Sequence, residues 1–281
     1  MSDAPRSVPP ARLQWRHVSV DGRPAVYAIA GHGPPAVFLH GWGLSHRSYR
    51  RVLDRLANEG MRVYAPALPG FGGTAELPRH QRSLRGYARW LVHFLDRTGV
   101  ADPVTLMGHS FGGGVAIQTA HDWPARIERL VIINSIGGTT WTDTGGIVRS
   151  LRERPWWDWG LHLQADFLSG RHLRRVLPVI AADAVPNLLR NPRAIWQVAH
   201  LARTAELTSE LEELKRRRLP VVILWGERDT VIPHAALQSL RAALGDPHVI
   251  TVPGTHSWLL TDPDTFGEVI TNVISVASPD R

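Results

Sequence analysis

Three side chains far apart in the sequence have the types that acyl transfer uses: Ser110 in "GHSFG", Asp229 in "LWGERDTVIP" and His256 in "VPGTHSW". A serine hydroxyl is a weak nucleophile near neutral pH and needs an adjacent base that is itself oriented by a third group. The pattern G-x-S-x-G around Ser110 has a steric meaning if "VTLM" before it is a strand and "GGVAIQTAH" after it opens a helix. The serine then occupies a sharp, strained turn at the carboxyl end of the strand. Gly108 and Gly112 offer hydrogen in place of Cβ, so strand and helix can approach. The hydroxyl is pushed outward, and the first amide of the new helix, that of Phe111, is aimed beside it. The motif alone also fits an inert serine in a glycine-rich turn.

The elements that must position these residues are legible as apolar, β-branched runs: "VYAIAG" from Val26, "AVFLHG" from Ala36, "RVYAPAL" from Arg62, "VTLMGHS" from Val104, "RLVIINS" from Arg129, "VVILWGERD" from Val221 and "VITVPGTH" from Val249. Continuous rather than alternating apolarity marks strands covered on both faces. Helix-like stretches lie between them, such as "YRRVLDRLANEG", closing at Gly60, and "LRGYARWLVHFLDRTGV", closing at Gly99. The alternation predicts an α/β fold, a mostly parallel sheet of about eight strands flanked by helices. An early hairpin turning at Asp21-Gly22 adds an antiparallel edge. Asp229 and His256 follow the last two strands, where the ligand-facing loops of an open sheet converge.

The strand rhythm stops after "INSIGG". Residues 138–205 show no comparable run, are rich in tryptophan, and read as a helical insertion. The core is therefore expected to be discontinuous, over 1–137 and 206–281.

Composition narrows the chemistry. A chain of 281 residues, 43% hydrophobic, can bury a large core in one domain with an insertion. The absence of cysteine excludes disulfides, thiolate metal sites and a cysteine nucleophile, and suits a reducing compartment. The first residues carry no apolar core of a signal peptide, and no segment has the uncharged length of a membrane span, so no membrane insertion and a cytoplasmic location are expected. The net charge of +7 is carried almost wholly by arginines spread along the chain, Lys215 being the single lysine. The dense "KRRR" at 215–218 sits where a helix would end, so dipole compensation explains it better than nucleic acid. No cluster has zinc or calcium spacing, and "GHGPP" near residue 31 lacks the lysine of a phosphate loop, so no metal, nucleotide or other cofactor is expected. Of 14 histidines, His40 and His109 flank the serine region but read as hydrogen-bonded packing residues. Asp262 and Asp264 read as helix-capping residues around Pro263.

Four signatures in order, "HGWG" at 40–43, "PGFGGT" at 69–74, "GHSFGG" at 108–113 and the pair "GERDTVIP" and "GTHSW", make the chain resemble the α/β-hydrolase superfamily over nearly its whole length outside the insertion. The resemblance implies Ser110 as nucleophile, His256 as general base and acid, and Asp229 as the carboxylate that orients the imidazole. It also implies an oxyanion hole formed by the backbone N–H groups of Trp42 and Phe111, and a cap formed by 138–205. Trp141, Trp156, Trp157, Trp159 and Trp258 are then assigned to the substrate pocket. The chain departs from many relatives at Ala67-Leu68-Pro69 and at Thr255, but neither removes one of the three groups. The earlier strand that carries the acid in some relatives ends here in Asn134-Ser135. Dehalogenases and epoxide hydrolases of this fold use aspartate where Ser110 stands, which disfavours their chemistry. The expected reaction is hydrolysis of a small, rather apolar carboxylic ester. Thioesters, lactones, carbon–carbon bonds and a slow-turnover receptor remain open on the same groups.

Overall fold

The computed structural model describes residues 12–144, 146–155 and 173–276. Its centre is an eight-stranded sheet made of β1 (Gln14–Val20), β2 (Arg23–Ala30), β3 (Pro35–Leu39), β4 (Arg62–Pro66), β5 (Val104–His109), β6 (Ile127–Ile133), β9 (Val221–Gly226) and β10 (His248–Val252). The spatial order is β1-β2-β4-β3-β5-β6-β9-β10. From β4 to β10 every pairing is parallel, whereas β1 with β2 and β2 with β4 are antiparallel. Asp21 and Gly22 both have positive φ, the requirement of a two-residue type I′ turn, and Val20 pairs directly with Arg23. The antiparallel edge read from the sequence is thus present.

Each central strand feeds two cores with alternate residues. Val37, Leu39, Leu106, Leu130, Ile132, Ile223 and Trp225 join the core covered by α2 (Leu84–Arg97), α3 (Phe111–Asp122), α6 (Thr208–Arg216) and α7 (His234–Leu244). Their neighbours Ala36, Phe38, Met107, Val131, Ile133, Val222 and Leu224 join the opposite core, covered by α1 (Arg50–Asn58), the short α8 (Trp258–Thr261) and α9 (Pro263–Val276). That two-sided burial is why the strands read as continuous apolar runs, and β5 is buried at all six positions. Asp262 accepts from the backbone N–H and the hydroxyl of Thr265, capping α9 as its sequence implies. Lys215 and Arg216 fall in the last turn of α6, where the dense basic run was expected to end a helix.

Between β6 and β9 the chain leaves the sheet. The first part corrects the helical expectation: β7 (Thr140–Thr144) and β8 (Ile147–Ser150) form an antiparallel hairpin. "TTWTDT" is β-branched but carries no continuous apolar run, because the hairpin stands apart from the sheet and its second strand is mostly exposed. Trp156, Trp157 and Trp159 lie outside the described residues. Among the described residues two helices follow, α4 (Leu173–Arg190) and α5 (Pro192–Thr204), before α6 returns the chain to the sheet.

Candidate active site

β5 hands directly to α3, and Ser110 is the single residue between them, at φ 54° and ψ −118°. A left-handed φ on a residue with a Cβ costs on the order of 1–3 kcal/mol and persists only where its surroundings over-determine it. Here they do. The Ser110 N–H donates to the Ile133 carbonyl at 3.0 Å, and the Ser110 carbonyl accepts from Gly113 N–H at 3.0 Å. A methyl group on Gly108 would lie 2.4 Å from the Gly112 carbonyl oxygen, and one on Gly112 would lie 2.6 Å from the carbonyl oxygens of Leu39 and His40. Both glycines are therefore required by backbone contact, and Ser110 is left nine-tenths buried with its exposed remainder at the turn.

Parallel neighbours β5, β6, β9 and β10 end at one edge of the sheet, and each is followed by a polar residue of the site: Ser110, Asn134, Asp229 and His256 in that order. The last two loops are tied by backbone bonds from Glu227 to Val252 and from Arg228 to Gly254, both 2.9 Å. Asp229 Oδ2 accepts from His256 Nδ1 at 2.8 Å and from the Asn134 side-chain amide at 2.5 Å. Its Oδ1 accepts from the backbone N–H groups of Val231 and Ile232, each at 2.8 Å. The carboxylate thus has four donors and one orientation. With Nδ1 of His256 bonded to Asp229, Nε2 is the ring nitrogen on the far side of the imidazole from the carboxylate. Both side chains are almost wholly removed from water.

The loop after β3 lies against the elbow, since a methyl on Gly41 would come within 3.3 Å of Ser110 Cβ. Trp42 follows Gly41, and its indole N–H donates to the Ile195 carbonyl in α5 at 2.8 Å, which ties this loop to the segment outside the sheet. Phe111 opens α3; its ring is fully buried and meets Tyr87 edge-on at 5.2 Å, so its side chain serves the core and its backbone N–H stands at the helix start.

Both flanking histidines are hydrogen-bonded residues. His40 Nε2 accepts from Leu68 N–H and its Nδ1–H donates to the Gly41 carbonyl, each at 2.8 Å. Burial lowers its pKa to about 4, so it is neutral. His109 bonds Tyr49 and the His256 carbonyl, and its ring lies 4.9 Å from that of His256. Trp258 departs from the pocket expectation. It is buried in the core beneath the site, with its indole N–H donating to Asn134 Oδ1 at 2.8 Å and its ring tilted against Phe266. Trp141, on β7, is half-buried under the Arg154 guanidinium, 5.5 Å from its ring centroid. Arg154 in turn donates to the carbonyls of Thr230 and Val231, the residues that follow Asp229. A cleft of about 480 Å³ opens between the 70–76 loop and α4, lined in part by Arg23, Glu76, Arg82 and Arg190; Ser110 does not line it.

Tyr49, Asp183 and Arg154 have no local signal in the sequence, and Asn134 shows there only as the end of a strand. Asn134 carried the one available signal, a polar residue at the end of a strand beside the serine strand, and its φ of 42° marks the bend that turns its amide toward Asp229.

A parallel sheet with an antiparallel edge, a strained serine at a strand-to-helix turn and an Asp–His pair on later loops define an α/β hydrolase. The Alpha/beta hydrolase family matches residues 36–269, and the chain belongs to it. An uncharacterized protein of Mycobacterium tuberculosis is 28% identical, over 98% of this chain and 84% of its own. A pimeloyl-[acyl-carrier protein] methyl ester esterase of Aromatoleum aromaticum is 26% identical, over 86% of this chain and 98% of the esterase. The fold is shared with the crystal structure of a membrane phospholipase A described as a bacterial virulence factor, at TM-score 0.76 and 23% identity, over 94% of this chain and 86% of that one. Among the described residues no helix is long and apolar enough to cross a membrane.

Proposed function

We propose that the protein is a serine hydrolase of a small, rather apolar carboxylic ester, working through an acyl-enzyme. The observation that carries this reading is the 2.8 Å contact between His256 Nδ1 and Asp229 Oδ2, on loops that follow strands of the sheet whose β5 ends at the strained Ser110. In the first half-reaction Ser110 Oγ attacks the ester carbonyl while His256 Nε2 takes the hydroxyl proton, and that proton then leaves with the alcohol. In the second, water attacks the acyl-enzyme, His256 takes its proton and returns it to Ser110, and the acid is released. Asp229 stays ionised and stabilises the imidazolium. The N–H groups of Trp42 and Phe111 hold the oxyanion, and loss of one such donor typically raises the barrier by about 3 kcal/mol.

Residues 138–205 act as a cap on a core formed by 1–137 and 206–281. Support comes from the side chains that α4 and its neighbours extend to the core loops: Asp183 to Ser45 and Ser48, Asn187 to Gly43 and Gly72, and Asn191 to Gly70. Trp141 and the tryptophans at 156, 157 and 159 are aromatic residues of this segment that would suit an apolar acyl or alcohol group. The named ester hydrolase among the relatives agrees with the reaction class.

The test is covalent. A fluorophosphonate is expected to label the wild type and not Ser110→Ala, and persistence of full labelling in that variant rejects the nucleophile. A panel of p-nitrophenyl esters, acyl thioesters and lactones of graded chain length then reads the substrate class, and turnover confined to the thioesters or the lactones overturns the ester assignment.

A further inference from the structure

Tyr49 and His109 touch neither Asp229 nor, in the proposed reaction, the substrate, yet together they join the two loops that the reaction depends on. Gly41 N–H lies 3.1 Å from the Tyr49 hydroxyl, that hydroxyl lies 2.8 Å from His109 Nδ1, and His109 Nε2 lies 3.0 Å from the His256 carbonyl oxygen. The direction of every bond follows from the inventory of donors and acceptors. The His256 carbonyl can only accept, so His109 carries its proton on Nε2. A neutral His109 then presents a bare Nδ1, which must accept, and the Tyr49 O–H donates to it. The Tyr49 oxygen is left with its lone pairs for Gly41 N–H. Burial, then the nearby His256, push His109 well below the usual imidazole range, which keeps the ring in the neutral form this order requires.

We infer that Tyr49 and His109 are positioning residues, a one-way hydrogen-bonded bridge that sets the spacing between the Gly41-Trp42 loop and the backbone of His256. The inference rests on the serine-hydrolase reading above and extends it to two residues outside the triad. His256 is fixed twice, through its ring by Asp229 and through its carbonyl by His109. The oxyanion loop is fixed at Gly41, one residue before Trp42. All members of the bridge are buried, and Gly41 is packed tightly against it: a methyl there would lie 3.0 Å from His109 Nδ1 and 3.2 Å from the Tyr49 oxygen, so both would have to give way slightly. The Tyr49 ring also rests against Phe38 at 5.0 Å, a contact that phenylalanine would keep. Removal of the hydroxyl alone therefore interrupts the bridge without emptying the core.

Such a bridge acts on the transition state more than on ground-state binding, because it aligns the base with the oxyanion donors. With p-nitrophenyl butyrate, Tyr49→Phe is expected to lower kcat about tenfold with KM within about twofold of wild type. His109→Leu is expected to do the same, and His109→Gln, which keeps one N–H donor, to recover part of the loss. The double variant Tyr49→Phe/His109→Leu is expected to be no worse than the poorer single variant, as for two parts of one unit. Fluorophosphonate labelling should stay stoichiometric but slow by a similar factor. The bridge is overturned if folded Tyr49→Phe keeps full kcat, or if the two losses multiply in the double variant. Should Tyr49→Phe not fold, the two His109 variants decide instead, and equal kcat in His109→Gln and His109→Leu overturns the bridge. Failure of the wild type to label at all would overturn the serine-hydrolase reading, so the two failures are distinguishable.

Discussion

Asn134 donates its side-chain amide to Asp229 Oδ2 at 2.5 Å, on the same oxygen that His256 uses. Its own Oδ1 accepts from Gly226 N–H and from the Trp258 indole, so one buried residue holds the carboxylate, the end of β9 and the start of α8. Asn134→Ala strips partners from two buried donors, and each unsatisfied group costs about 1–3 kcal/mol. The expected result is a fall in unfolding free energy of about 2–4 kcal/mol by urea titration, with kcat lowered about tenfold. Asn134→Asp makes a different prediction. A second carboxylate beside Asp229 holds one proton between the pair, so the acid limb of the pH–rate profile should move to higher pH. An unmoved acid limb in a folded variant would show that Asn134 does not govern Asp229.

Asp183 ties α4 to the loop that precedes α1. It accepts from Ser45 N–H, Ser45 Oγ and Ser48 Oγ, all at 2.7 Å, and is itself buried. Ser45 follows Trp42 by three residues, so the anchor acts on the stretch that carries the proposed oxyanion donor. Asp183→Ala is expected to destabilise by about 3 kcal/mol and to lower kcat/KM for the aryl esters, with limited proteolysis cutting faster in the 173–204 region. Unchanged proteolysis and turnover would mean that α4 is held without it.

These two residues also show where the sequence stopped being informative. The placement of Ser110, Asp229 and His256 was legible because local chemistry announced it: glycines required by backbone contact around the serine, and strand ends that put the other two at one edge. Asp21-Gly22 and the two-sided strands were legible for the same reason, a periodicity or turn rule acting over a few residues. Asp183 and Asn134 act across 138 and 95 positions of sequence, and nothing local distinguishes such an acid or amide from an exposed one. Trp258 misled because a tryptophan beside the histidine suggests a pocket wall, whereas Asn134 and Phe266 draw its ring into the core. The β7–β8 hairpin escaped because a ribbon outside the sheet needs no apolar run.

The elbow makes a steric prediction. The nearest atoms to a methyl on Gly108 are the Gly112 carbonyl oxygen at 2.4 Å and carbon at 2.6 Å, and the Gly113 Cα at 2.6 Å. These are backbone atoms of the first turn of α3 and cannot swing aside as a side chain would. Gly108→Ala is expected to cost about 3 kcal/mol or more and to lower Tm by at least about 6 °C. Gly99→Ala is the control: its φ is 72°, but open space surrounds it, and about 1–2 kcal/mol is expected. Equal Tm losses in the two variants would mean that strand–helix contact at the elbow is looser than 2.4 Å.

Buried imidazoles set the response to acid. Burial lowers His40 to about 4 and His46 to about 3, and His109 lies well below its usual range for the same first reason. All three are neutral when folded, but in the unfolded chain each binds a proton near pH 6.5. As pH falls below that value the unfolded state takes up protons that the folded state refuses, so stability declines, and each group stops contributing to the slope once pH passes its folded value. Each contributes up to about 1.4 kcal/mol per pH unit within its window. Urea unfolding between pH 7 and pH 4 should therefore show stability falling with an uptake that approaches three protons around pH 5, beyond what the carboxylates add. His46 isolates the effect, because both its ring nitrogens are buried without a hydrogen-bond partner among the described residues and its ring rests edge-on against Trp15 at 5.1 Å. His46→Phe should remove one proton from the uptake and raise stability most at the acid end; an unchanged slope in that variant would show that His46 is protonated in the folded protein.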